Sequence, residues 1–298
     1  MFAVLRKFFL TLSLTHTLFY STQSYTQDRS NLGDIYREEF LKQESKALTQ
    51  AEEDIKVVSF DLSLTGGSTL NVVYPQNWSA LAVQLKATID TTHNQFREYF
   101  GEIPSFTSSL RLMDEELFYL STGAPSWTNA LFYKGQIMIP IPANKPPDME
   151  NIIRSVKHEY THAVISALSG GNCPGWLDEG LAQWAEGPEN PALQPALVNY
   201  LNKNPPVPLD LLQNGFTKLK TKMVPAAYAQ SLFAAHTVIN SFGLPSVGGY
   251  MKSLRGGKTK PQAFFKNFRV SEGEFERLLG HNLKEWTHEF NSREVHNF

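Results

Sequence analysis

The stretch that decides the reading runs Asp148-Met149-Glu150-Asn151-Ile152-Ile153-Arg154-Ser155-Val156-Lys157-His158-Glu159-Tyr160-Thr161-His162-Ala163-Val164-Ile165-Ser166-Ala167-Leu168-Ser169-Gly170-Gly171. Met149, Ile152, Ile153, Val156, Tyr160, Ala163, Val164, Ala167 and Leu168 recur at steps of three and four, which predicts an amphipathic helix. Asp148 follows Pro146-Pro147 and suits an N-cap; Gly170-Gly171 suits the end. Ser155, His158, Glu159, His162, Ser166 and Ser169 fall on the opposite face. That face carries His158-Glu159-Tyr160-Thr161-His162, an H-E-x-x-H pattern. Residues four apart on a helix differ by about 40° in direction and about 6 Å along the axis. Two imidazoles so placed can converge on one tetrahedral zinc ion, with Zn–N near 2 Å. Glu159 lies one step round, where it can take a proton from water and pass it to a leaving amine.

A zinc site that does chemistry uses a third protein ligand and leaves one position open. Working outward, Pro174-Gly175-Trp176-Leu177-Asp178-Glu179-Gly180-Leu181-Ala182-Gln183-Trp184-Ala185-Glu186 reads as a second helix opening after a Pro-Gly break. Glu179, Gln183 and Glu186 share one face; Leu177, Leu181 and Trp184 share the other. The turn through Gly170–Gly175 is long enough to bring this helix beside the first. Glu179 is the candidate third ligand. Composition agrees with this donor set. The chain has one cysteine, Cys173, in 298 residues, so neither an intramolecular disulfide nor an all-cysteine metal site is available. Cys173 is expected as a buried or loop thiol. With 27 basic and 29 acidic residues there is no electrostatic footprint for nucleic acid.

The amino terminus has the order of an export signal. Arg6 and Lys7 precede an apolar stretch from Phe8 to Phe19, then small polar residues. Residues 1–24 are therefore expected as a signal peptide or anchor, making the protein periplasmic or secreted, with peripheral membrane association through this end. Asp34–Asp54 reads as an exposed helix within an extension of residues 25–75. Lys56–Leu64 alternates and predicts a strand; Gly66-Gly67 turns it into a second strand over Thr69–Tyr74. Ser79–Phe100 has helical spacing. Leu110–Met113 and Gly135–Ile141 are short strand candidates. Beyond Pro146-Pro147 the pattern is helical to the end. The expectation is an α+β fold: a small mixed sheet in an amino-terminal lobe and a helical carboxy-terminal lobe, meeting near residue 145 within a domain of residues 76–298.

His158–His162 followed by Trp176-Leu177-Asp178-Glu179-Gly180-Leu181-Ala182 resembles the gluzincin metallopeptidases, and most closely the peptidase MA-like, or minigluzincin-like, proteins. The resemblance covers roughly residues 80–290. It implies a zincin-like fold, one Zn2+ held by His158, His162 and Glu179, Glu159 as general base, and a peptide or protein substrate. It also implies that Gly135-Gln136-Ile137-Met138-Ile139 is the active-site edge strand, with Gly135, Gln136 and Ile137 binding substrate by strand addition. Glu186 matches a carboxylate that orients a metal histidine, and Tyr228, in Ala227–Ser231, matches a donor to the oxyanion. Gln183 stands where some gluzincins have aspartate. Asp178 is expected as an exposed or capping residue outside the site.

The implied activity is that of an exported zinc metallopeptidase. The alternative is a catalytically silent zincin scaffold that binds a cell-envelope partner, against which the intact Glu159 speaks. His236 is expected to be structural. His93, His281, His288 and His296 are expected at the surface, and Lys252–Lys260 as a solvated loop. Phe264, Phe265, Phe268, Phe275 and Trp286 are expected in the core.

Overall fold

The computed structural model describes residues 56–295, apart from 125–127, 143–144, 188–191, 215 and 217–218. The expected signal segment and the helix expected at Asp34–Asp54 lie outside the described residues. Five strands form one mixed sheet: β1 (Val57–Ser63), β2 (Thr69–Pro75), β3 (Thr107–Asp114), β4 (Leu131–Tyr133) and β5 (Gln136–Ile141). Their order is β1-β2-β3-β5-β4. The β1–β2 and β4–β5 pairs are antiparallel; β2–β3 and β3–β5 are parallel. Parallel neighbours need a crossover. Helix α1 (Ser79–Phe100) supplies the first and helix α2 (Glu115–Thr122) with β4 the second.

The pleat sorts side chains between two cores. Leu110, Leu112, Ile137, Ile139 and Ile141 enter the main core. Met113 and Met138, on the opposite face, join Phe118 of α2 in a smaller cluster. A two-residue turn, Lys134-Gly135, links β4 to β5 with φ of 48° and 81°. Positive φ at both positions matches the right-handed twist of a tight hairpin.

After Ile141 all regular structure among the described residues is helical: α3 (Met149–Ser169), α4 (Gly175–Glu186), α5 (Leu193–Leu201), α6 (Val224–Phe242), α7 (Leu244–Arg255), α8 (Lys260–Phe268) and α9 (Glu272–Val295). The observed α3 matches the expected helix, with Asp148 Oδ1 accepting from the Asn151 amide at 3.1 Å. Ile152, Val156, Tyr160, Val164 and Leu168 bury its apolar stripe. Each such side chain contributes about 1.5–3 kcal/mol.

Lys252 and Arg255, expected in a solvated loop, sit on α7 and close the ends of other helices. Lys252 Nζ donates to the Phe100 carbonyl at 2.7 Å, and Arg255 Nη1 to the Ala167 carbonyl at 2.7 Å. Cations there satisfy carbonyls that have no helical partner and oppose the negative end of the helix dipole. Phe264, Phe268 and Phe275 are buried as expected, but Phe265 is exposed, because consecutive helical residues point about 100° apart. Among the described residues, no helix is long and apolar enough to cross a membrane.

Candidate metal centre

Helices α3 and α4 pack side by side and bring His158, His162 and Glu179 together. One donor atom from each lies within 4.8 Å of the others. His158 Nε2 is 3.6 Å and His162 Nε2 3.8 Å from Glu179 Oε2. A tetrahedral ion with ligands at about 2.1 Å separates them by about 3.4 Å. The set is therefore close to what zinc requires. Among the described residues no other such group of His, Cys, Asp and Glu is present. Glu179 Oε2 is buried without a hydrogen-bond partner. A buried, orphaned carboxylate oxygen is costly unless something electropositive meets it.

The other imidazole nitrogens are already engaged. His158 Nδ1 is 2.7 Å from Glu186 Oε1, whose Oε2 accepts from Arg154 Nη2 at 2.7 Å. His162 Nδ1 is 2.8 Å from Asp178 Oδ1. With each Nδ1 donating to a carboxylate, each Nε2 is the nitrogen left to take a cation in place of a proton. Asp178 thus enters the site, contrary to the expectation from sequence. It precedes Glu179 at the start of α4, and only the packing of α4 on α3 reveals its partner.

Burial disfavours the charged imidazoles, but the carboxylates outweigh it. Glu179 and Glu186 hold His158 well above the ordinary histidine value, and Asp178 raises His162 to about 9. In the converse direction, burial opposes the charged Glu179, yet both histidines keep it below the usual carboxylate range. Glu159 is buried next to them, and desolvation raises its pKa. The Phe132 backbone amide donates to its carboxylate. The Phe132 ring lies nearly parallel to His162, centroids 6.4 Å apart.

Phe132 belongs to β4, which corrects the expected edge strand. Gln136, Ile137 and Met138 pair with β3 on one side and with Tyr133, Phe132 and Leu131 on the other. Strand addition at Gly135, Gln136 and Ile137 is therefore blocked, because β4 already occupies that edge. The sheet edge beside the metal centre is β4. Its three residues are too few for period-two alternation to register in the sequence.

Tyr228 lies on α6, half-buried, its ring edge-on to Phe216 at 4.7 Å. Burial pushes its phenol far up, and the Glu179 and Glu159 carboxylates push it further, so the hydroxyl stays protonated. Gln183, on the buried side of α4, donates from Nε2 to the Glu179 carbonyl at 3.1 Å and the Tyr228 carbonyl at 2.9 Å.

His236 lines a cleft with Leu193, Leu197 and Trp286 and is not one of the three converging donors. His93, expected at the surface, is buried. It meets Tyr160 Oη at 2.8 Å and the Thr65 carbonyl at 2.7 Å. Cys173 is half-buried, and burial raises its thiol well above the ordinary value.

A sequence profile of the Peptidase MA superfamily matches residues 111–278. The chain belongs to the Peptidase MA superfamily. The matched span holds the second half of β3, then β4, β5 and both helices of the metal centre. Among solved structures, Legionella pneumophila aminopeptidase A in complex with aspartic acid is similar at TM-score 0.50 and 14% identity, over 76% of this chain and 28% of that one. An M1 zinc metallopeptidase from Deinococcus radiodurans aligns at TM-score 0.40 and 16% identity, over 78% and 51%. An aminopeptidase N family protein from Idiomarina loihiensis aligns at 0.43 and 11%, over 70% and 42%. The first likeness supports the zincin-like fold of this superfamily member. The chain spans between about a quarter and a half of these proteins' lengths. No curated protein sequence matches.

Proposed function

We propose that this Peptidase MA superfamily protein is an exported zinc-dependent metallopeptidase. The observation that carries the reading is the convergence of His158 Nε2, His162 Nε2 and the orphaned Glu179 Oε2, with both Nδ1 atoms turned to carboxylates. These three residues hold one zinc ion. When bound, zinc polarises a carbonyl and lowers the pKa of water from about 16 towards 7.

Glu159 accepts a proton from the attacking water and delivers it to the leaving amine. Its raised pKa makes the carboxylate a stronger base and favours the first of these steps. Glu186 and Asp178 fix the tautomer and direction of the imidazoles. Tyr228, kept protonated, donates its hydroxyl to the developing oxyanion; such a donor is worth about 10²–10³ in kcat. The edge strand β4, rather than Gly135–Ile137, receives the substrate backbone, since it is the outermost strand on that side of the sheet and its Phe132 lies against His162. The basic start and apolar run of residues 6–19 support export and tethering at the membrane.

A peptide-library digestion read by mass spectrometry tests the activity. Zinc-loaded protein is expected to cleave, a chelator to stop cleavage, and added zinc to restore it. Stoichiometric zinc with no cleavage of a diverse library contradicts the proposal and favours a silent scaffold.

A further inference from the structure

Gln183 occupies an unusual place. It is buried between α4 and α6, and both hydrogens of its amide are used, one on the carbonyl of Glu179 and one on that of Tyr228. A single side chain thus bridges the backbone of a proposed metal ligand and the backbone of the proposed oxyanion donor. Packing alone does not call for an amide there. An apolar side chain of equal length fills the same space without desolvating a polar group. An aspartate or glutamate is acceptor-only when ionised and sets its oxygens against two carbonyl oxygens.

The same two helices meet again one turn away. A Cβ on Gly180 would collide with the Ser231 carbonyl and lie 2.8 Å from the Ala235 Cβ. Close approach at Gly180 sets the spacing of α4 and α6, and Gln183 sets how far one has slid along the other. That slide decides where the Tyr228 hydroxyl sits relative to Glu179 and Glu159.

We infer that Gln183 is a positioning residue, which fixes where the Tyr228 hydroxyl stands relative to Glu179 by tying the Tyr228 backbone to that of Glu179. The inference rests on the metallopeptidase reading for its kinetic consequence, though not for its structural one. Gln183 touches neither substrate nor ion. It acts through Tyr228, and so on the transition state rather than on ground-state binding.

The test uses the zinc-loaded chain and a peptide found cleaved in the library. Gln183→Met keeps the length and removes both donors. It is expected to lower kcat by about tenfold, as small misplacements of a catalytic group do. KM stays within about twofold, since ground-state binding is untouched. Zinc remains at one ion per chain. In a Tyr228→Phe background the same substitution is expected to lower kcat no further, because its route is gone. An equal loss in both backgrounds, or loss of zinc, overturns the inference.

A second readout needs no turnover. With tyrosine labelled at 13Cζ, the resonance absent from Tyr228→Phe reports this hydroxyl, and it is expected to shift in Gln183→Met. An unmoved resonance overturns the inference. Should wild-type protein cleave no peptide, the metallopeptidase reading fails while the resonance still decides the role of Gln183. If Gln183→Met does not fold, Gln183→Leu carries the same expectations.

Discussion

The two faces of helix α3 treat histidine in opposite ways. On one face His158 and His162 each give Nδ1 to a carboxylate, and each turns Nε2 towards Glu179. Against the other, Tyr160 meets His93, whose two ring nitrogens are both engaged, one by a phenol and one by a carbonyl. Carboxylate partners push the first pair up in pKa. Burial pushes His93 down, and the Thr65 carbonyl only partly offsets it. All three histidines are sheltered from solvent, so shelter alone does not separate a proposed metal ligand from a structural histidine. What separates them is the chemistry around the ring: a carboxylate at Nδ1 supports positive charge and leaves Nε2 to exchange its proton for a cation, whereas neutral partners on both sides close the ring.

The largest way to break this contrast is to remove the third donor. Glu179→Ala is expected to take the purified protein from one zinc ion per chain to none, measured by elemental analysis after dialysis. Retained stoichiometric zinc would show that Glu179 is not the third donor.

A smaller effect sharpens the contrast. Glu186→Gln and Asp178→Asn keep the shapes but drop the charges at Nδ1. Each is expected to weaken zinc binding about 10–100-fold, read by competition with a chromophoric chelator. His93→Gln in the same assay is expected to leave affinity within about twofold. If the carboxylate variants match wild type, these contacts do not orient the ligands.

The smallest effect is on stability. The folded-state pKa of His93 is depressed below 6.5, so the unfolded chain binds this proton at higher pH than the folded one. The residue's contribution is present above about pH 6.5 and is lost as pH falls from there through the folded-state pKa, where the loss levels off. Urea denaturation at pH 7.5 and 5.5 checks this. His93→Gln is expected to flatten the pH slope by at most about 1.4 kcal/mol per pH unit, the limit for one proton. An unchanged slope contradicts the depressed pKa.

The helices of the site were legible because their signal is local and long. Nine apolar positions at helical spacing, an N-cap aspartate and a closing glycine marked α3, and its polar stripe carried three of the four key residues. Glu179 followed from the same logic on α4. What was not legible depended on contacts across the fold. Asp178 looks like an exposed helix residue until α4 lies on α3. Strand β4 is too short for a pattern, and it displaced Gly135–Ile137 from the edge. His93 carries a readable sign of burial: it stands four after Ile89 and three before Phe96, within the apolar stripe of α1. Gln183 is legible as a residue on the Glu179 face but not in its role, since its two acceptors are backbone carbonyls, one of them 45 residues away in sequence.

The central claim is that Glu159 is the base beside a zinc held by His158, His162 and Glu179. The most direct measurement compares Glu159→Gln with wild type for zinc content and for cleavage of one peptide substrate. The account predicts one zinc per chain in both, with cleavage by the variant lower by about 10²–10⁴, the usual worth of a general base. Cleavage by Glu159→Gln at the wild-type rate, with zinc bound, would contradict it.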